Sequence, residues 1–186
     1  MNKCRYAVRA MVEGAIFVAI AEILGYIKLW HMPEGGSISL MMLPIIIYAL
    51  RWGLGQGLLA GLALGILDFM LSGGIAIGWQ SILGDYVIAL TALGLAGAGH
   101  KKGFPGILLG SILGSLGRFV CIWLTGAIRW GEYMYDVYGL PMDNEYVYSF
   151  LYNLPVLISG VLAVVICVAL YNIKSTRKYI LGEDIA

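Results

Sequence analysis

The chain has 186 residues, 60% hydrophobic and only 12% charged, with a mean hydropathy of +0.85. A soluble domain carries about 25% charged residues, so this chain cannot clothe a globule in charge, and its hydrophobicity also excludes disorder. A net charge of +1 gives no electrostatic hold on nucleic acid; what remains is a protein embedded in a membrane.

A spanning helix needs about 20 mostly apolar residues. The pattern predicts six: about Ala10 to Ile27, a short one from about Ile38 to Leu50, Leu54 to Leu71, about Ile82 to Ala98, Ile107 to Ile128, and about Tyr148 to Tyr171. The first contains Glu13 and Glu22 and lacks a small-residue cleavage site after it, so it reads as a span and not as a cleaved signal. Two connections are short, around Arg51-Trp52-Gly53 and His100–Pro105. Three lie on the other side: Lys28–Ser37, Ser72–Ser81 and Arg129–Tyr146. None is long enough for a soluble domain. The expectation is an all-α membrane protein, residues 1–186 forming a single six-helix bundle.

Orientation follows the basic residues. An even number of spans puts both termini on one side, together with Lys3, Arg5, Arg9, Arg51, Lys101, Lys102, Lys174, Arg177 and Lys178; only Lys28 and Arg129 fall on the other. Both termini are therefore expected in the cytoplasm.

Small residues recur at four-residue spacing: Gly57, Gly61 and Gly65 in the third span, Gly106, Gly110 and Gly114 in the fifth, Ala15 and Ala19 in the first. Such spacing marks close helix contact. The two glycine ladders read as packing within the bundle. Ala15/Ala19, on a helix otherwise rich in large apolar residues, reads as a docking face for another membrane protein.

Ionisable groups at membrane depth face an interior or a partner. Glu13 lies near the cytoplasmic end and reads as structural. Glu22, Asp68 and Asp85 lie nearer the external half, and Arg118 sits mid-span, where an ion pair with a carboxylate is the simplest expectation. The external end is rich in aromatics, including Trp30, Trp79, Tyr86, Trp123, Trp130, Tyr148 and Tyr152. Part of this is an interfacial belt. A carboxylate beside a tyrosine, with Asn153 a turn beyond Tyr148, also suits a flat cationic ligand through charge and cation–π attraction. Cys4, Cys121 and Cys167 show no ligand spacing, and His31 and His100 stand alone, so no metal site is expected. There is no HExxH, GxSxG or Walker A sequence. The chain is expected to be no enzyme, to need no cofactor, and to use ATP only through other subunits.

The order of motifs resembles the substrate-binding S components of energy-coupling factor (ECF) transporters, and among them the thiamine-specific family. The matching pieces are Gly35-Gly36-Ser37-Ile38-Ser39-Leu40 with Leu43-Pro44, Arg51-Trp52-Gly53 through the ladder to Gly73, Gly84-Asp85-Tyr86 to Gly97, Gly117-Arg118-Phe119 with Thr125-Gly126, and Tyr148–Asn153. The resemblance implies a six-helix subunit of a prokaryotic plasma membrane. It would capture thiamine, or a closely related vitamin or precursor, at the external side. Its partners would be a transmembrane coupling subunit, contacted through Ala15 and Ala19, and two cytoplasmic ATPases.

The resemblance also assigns a pocket. Asp85 would meet the cationic, amino-bearing ligand, and Tyr86 and Trp130 would stack on its rings. Gly126 lines the site, Tyr148 and Asn153 would hydrogen-bond polar edges, and the Gly36–Leu40 segment with Ser39 would form part of a lid. Asp68 is a second external carboxylate. Two positions depart from the family pattern: Ile122 stands where a histidine is usual, and Arg129 where an apolar residue precedes the tryptophan. They leave open whether the ligand is thiamine, a hydroxymethylpyrimidine precursor or another small heterocycle. An autonomous secondary transporter or channel is the alternative reading.

Overall fold

Glycine ladders fix how the helices stack. The computed structural model describes residues 3–32, 36–71 and 78–184, so Gly35 and Gly73, quoted above, and most of the Ser72–Ser81 connection lie outside the described residues. Within them run α1 (Lys3–Tyr26), strands β1 (Lys28–His31) and β2 (Ser37–Ser39), α2 (Met42–Trp52), α3 (Leu54–Leu71), α4 (Gly78–Gly99), α5 (Gly103–Tyr133), α6 (Glu145–Tyr152), α7 (Leu154–Asn172) and α8 (Lys174–Ile180).

Helices α3 and α5 grip α4 from two sides. A Cβ on Gly57 would sit 2.5 Å from the Cβ of Ala49 and 3.0 Å from the Gly94 carbonyl oxygen; one on Gly65 would sit 2.7 Å from the Tyr86 carbonyl oxygen. On the other side Gly106, Gly110 and Gly114 face the backbone carbonyls of Gly99, Ala96 and Leu93 in turn. Any side chain at these positions would push the backbones apart, which is why small-residue spacing permits such close contact. Both ladders therefore pack inside the bundle, as expected.

Among the described residues four helices (α3, α4, α5 and α7) are long and apolar enough to cross a membrane. α1, at 24 residues, is about 36 Å long, but carries Arg5, Arg9, Glu13 and Glu22. α2 is shorter, 11 residues, and buried along nearly its whole length from Met42 to Trp52. It ends at Gly53, whose φ of 88° favours glycine. The ring of His100 donates from Nδ1 to the Leu50 carbonyl oxygen (2.8 Å), tying the C-terminal end of α4 to that of α2.

Several expectations need correction. The connection Lys28–Ser37 contains an antiparallel hairpin, pairing Lys28 with Ser39, Trp30 with Ile38 and His31 with Ser37, so the fold is helical with one small two-stranded sheet. The sixth span is two helices. α6 starts at the Asn144 cap, whose side chain accepts from the backbone N–H groups of Tyr146 and Val147, and the chain breaks at Asn153, with Pro155 opening α7. The first span begins earlier than Ala10, and the fifth runs on to Tyr133. Two stretches widen to π-helical geometry, Ile82–Ile88 and Gly126–Trp130.

Arg51, expected on the basic rim, is fully buried. Its guanidinium donates to Glu13 from Nε (2.7 Å) and Nη2 (3.2 Å), to Asp184 from Nη1 (2.6 Å) and Nη2 (2.9 Å), and to the Tyr179 carbonyl. It also lies over the Tyr179 ring at 3.8 Å. Arg9 pairs with the same two carboxylates, and the Trp52 indole donates to Glu13 (2.8 Å). This network brings the beginning of α1 and the end of the described chain to one end of the bundle. Glu13 is accordingly structural, through this network.

Candidate functional site

The predicted site lies where the two π-helical stretches meet. Gly84 lets α4 close on α5, because a Cβ there would collide with the Thr125 side chain. One residue on, Asp85 Oδ2 accepts from Ser81 Oγ (2.7 Å) and from the Trp130 indole Nε1 (3.2 Å). A π-helical turn inserts a residue and re-aims those around it, a distortion often found at functional sites. Here it supports a carboxylate and an indole that face each other across two helices. The Tyr86 ring stands edge-on to Phe69 at 5.3 Å, which joins α3 to the same wall.

A second group adjoins the first through α5, since Gly126 precedes Trp130 by one helical turn. A Cβ on Gly126 would meet Ser149 Oγ, and Asn153 Nδ2 at 3.4 Å. Ser149 Oγ donates to the Trp123 carbonyl (2.7 Å), and Asn153 Nδ2 to the Ser149 carbonyl (2.9 Å). Tyr148 is buried and stacks on Tyr152 at 5.9 Å, with Tyr135 edge-on at 5.6 Å. The hairpin covers this end: the Ser39 N–H donates to Ser159 Oγ on α7 (3.1 Å), and Gly36 lies against the Tyr152 carbonyl and Pro155. Asp85, Tyr86, Gly126, Trp130, Tyr148, Asn153 and Ser39 are thus held by a connected set of contacts through α3–α7 and β2.

Asp68 makes no hydrogen bond or ion pair to the Asp85 group among the described residues; the charges acting on it and near it are those of Arg118 and Glu22. Arg118 makes no ion pair within 4 Å among the described residues, contrary to the simplest expectation; Nη1 lies 3.9 Å from Met41 Sδ. Glu22 Oε2 and Arg118 Nε are buried without hydrogen-bond partners. Ile122, at the position where the family usually has histidine, is buried at 7% exposure and adds an apolar surface. Arg129 sits on the rim beside Trp130, with Nη2 3.7 Å from where a Gly78 Cβ would stand. Among the described residues no group of three or more His, Cys, Asp or Glu side chains is placed to hold a metal.

Ala15 and Ala19 lie elsewhere. Both are exposed on α1 and line a groove of about 510 Å³ with Met11, Val18, Gln56 and Leu59. The sequence reading missed the Arg51 network near the chain ends. Its signal was present in Arg51 following the apolar run of α2, but only the fold supplies Asp184, which is remote in sequence.

Known proteins resemble the chain along most of its length. The thiamine transporter ThiT of Bacillus subtilis is 30% identical over 183 residues, covering 90% of this chain and 92% of that protein. The thiamine transporter ThiT of Lacticaseibacillus paracasei is 31% identical over 163 residues, covering 77% and 76%. The solved structure of ThiT from Listeria monocytogenes superposes with a TM-score of 0.79 at 22% identity, covering 96% of this chain and 99% of that one. A solved S component of a bacterial ECF transporter shares the fold with a TM-score of 0.58 at 14% identity, covering 89% and 95%. The sequence model of the thiamine transporter protein family matches residues 11–180, and the chain belongs to that family.

Proposed function

We propose that the chain is the substrate-binding S component of an ECF-type transporter and captures thiamine or a closely related precursor at the external face. The observation that carries this is Asp85, which lies in one π-helical stretch, accepts from Ser81 and from Trp130 of the other, and is followed in the chain by Tyr86. A carboxylate beside aromatic faces matches a flat organic cation. In this reading Asp85 neutralises the ligand, Trp130 and Tyr86 stack on its rings, and Asn153 and Tyr148 take its polar edges. Gly126 lets α5 close on the helix that carries Ser149 and so brings Asn153 to the site, Ser39 closes above it, and Asp68 holds the electrostatic balance with Arg118.

The same reading makes α1, α2, α3, α4, α5 and α7 the six spans of a single domain in a prokaryotic plasma membrane. Both termini are cytoplasmic, supported by nine basic residues against two. The subunit is no enzyme. Ala15 and Ala19 dock the coupling subunit, whose two ATPase partners supply the energy.

Two measurements test the reading. Tryptophan-fluorescence titration with thiamine and its precursors should show saturable binding that Trp130→Ala abolishes or weakens strongly. Uptake should require the energising module and should fail with Ala15→Leu/Ala19→Leu while binding persists. Uptake that continues without the module would establish an autonomous transporter instead.

A further inference from the structure

Arg129 takes no part in the pocket just described, and its surroundings set it apart. Its Nε is buried without a hydrogen-bond partner. Among the described residues no carboxylate lies within ion-pair distance of it; every ion pair found there belongs to the Arg9–Glu13–Arg51–Asp184 network. The carboxylates facing this region are otherwise placed. Asp85 Oδ2 accepts from Ser81 and Trp130, Glu132 is exposed on the turn after Arg129, and the Glu145 side chain packs over Gly131. The guanidinium reaches across to the first turn of α4, near Gly78 and Gln80. That turn carries Ser81, and the next carries Asp85. Arg129 and Trp130 are adjacent in the chain, so the cation and the Asp85-bound indole share one rim.

A buried guanidinium donor with no acceptor is costly, and a planar fork of N–H donors matches a phosphate or carboxylate better than any neutral group. A purely cationic ligand at Asp85 would be repelled by it. A ligand with a cationic ring and an anionic tail would satisfy both charges at once.

We propose that Arg129 forms an anion subsite beside the Asp85 pocket, which accepts the phosphate ester of a cationic heterocycle. This rests on the vitamin-binding reading above and refines it: the preferred ligand class is a phosphorylated, zwitterionic heterocycle and not the bare cation. Arg129 is then a specificity-determining residue peculiar to this pocket.

The test is tryptophan-fluorescence titration of the full chain with thiamine and thiamine monophosphate, comparing wild type, Arg129→Gln and Arg129→Lys. Wild type should bind the monophosphate at least as tightly as thiamine. Arg129→Gln should lose about tenfold or more for the monophosphate, the effect of one charged hydrogen-bonded contact. It should leave thiamine unchanged or tighter, and thermal melting will verify that the variant is folded. Arg129→Lys should retain part of the preference. A ratio of the two affinities that Arg129→Gln leaves unaltered, or an equal loss for both ligands, overturns the subsite alone. Wild type that binds neither ligand overturns the vitamin reading, and the subsite with it.

Discussion

Removing the Arg51 guanidinium tests how the chain ends are held together. Arg51→Leu keeps an apolar stem but leaves Glu13 and Asp184 with Arg9 as their remaining cation, and Glu13 with the Trp52 indole. Removing one partner of a buried ion pair costs about 3–5 kcal/mol. The Glu13 side chain is 17% exposed and Asp184 43% exposed, so water partly compensates, and the lower figure of about 3 kcal/mol applies. For a chain of this size that corresponds to about 6–12 °C in melting temperature. Arg51→Lys keeps the charge but loses the paired donors and the stack on Tyr179, so it should fall between the two. Melting of the detergent-solubilised protein, followed by tryptophan fluorescence, measures this. Ligand affinity should hold, because Asp85 lies toward the opposite end of α4 from His100, which meets α2 beside Arg51. An Arg51→Leu protein melting within about 2 °C of wild type would refute the claim that this network holds the chain ends.

Three further outcomes are expected. Gly94→Val places a side chain where the α3 backbone at Gly57 and Leu58 already lies; the helices must separate, and yield of folded protein on size-exclusion chromatography should collapse. The Arg51 guanidinium, with help from Arg9, holds the Asp184 carboxyl well below the usual carboxylate range. Its contribution is therefore complete above the unfolded-state value near 3.8 and is lost as pH falls below it. Asp184→Asn should flatten the fall in melting temperature between about pH 4 and pH 2, the range just below that value; an unchanged slope in the variant would argue against it. Asp85→Asn keeps the shape of the carboxyl and removes its charge, so affinity for a cationic ligand should fall about tenfold or more in the same fluorescence titration, with little change in melting.

The ladders were legible because membrane packing has a local rule. Three glycines four residues apart can only line up on one helix face, and both ladders found the α4 backbone. The acid–tyrosine pair and the Gly126/Trp130 spacing were legible as a motif, and the fold joins them. Other features were hidden. The local signal at Asn153 and Pro155 is easily overrun by the apolar residues that follow; the break arises where Asn153 turns its amide back to Ser149 ahead of Pro155. Arg51 looked like a rim cation because its burial depends on two carboxylates that folding delivers.

By itself the sequence determined the membrane class and the placement of most helices, and it supplied the residue types proposed for the pocket. These follow from hydropathy and spacing, which act along the chain. Only the tertiary structure decided that Trp130 bonds Asp85, that Arg118 makes no ion pair within 4 Å among the described residues, and that Arg51 reaches Asp184. Each of these depends on which helix faces meet, and backbone contact at the glycines sets that, through distances that no linear spacing encodes.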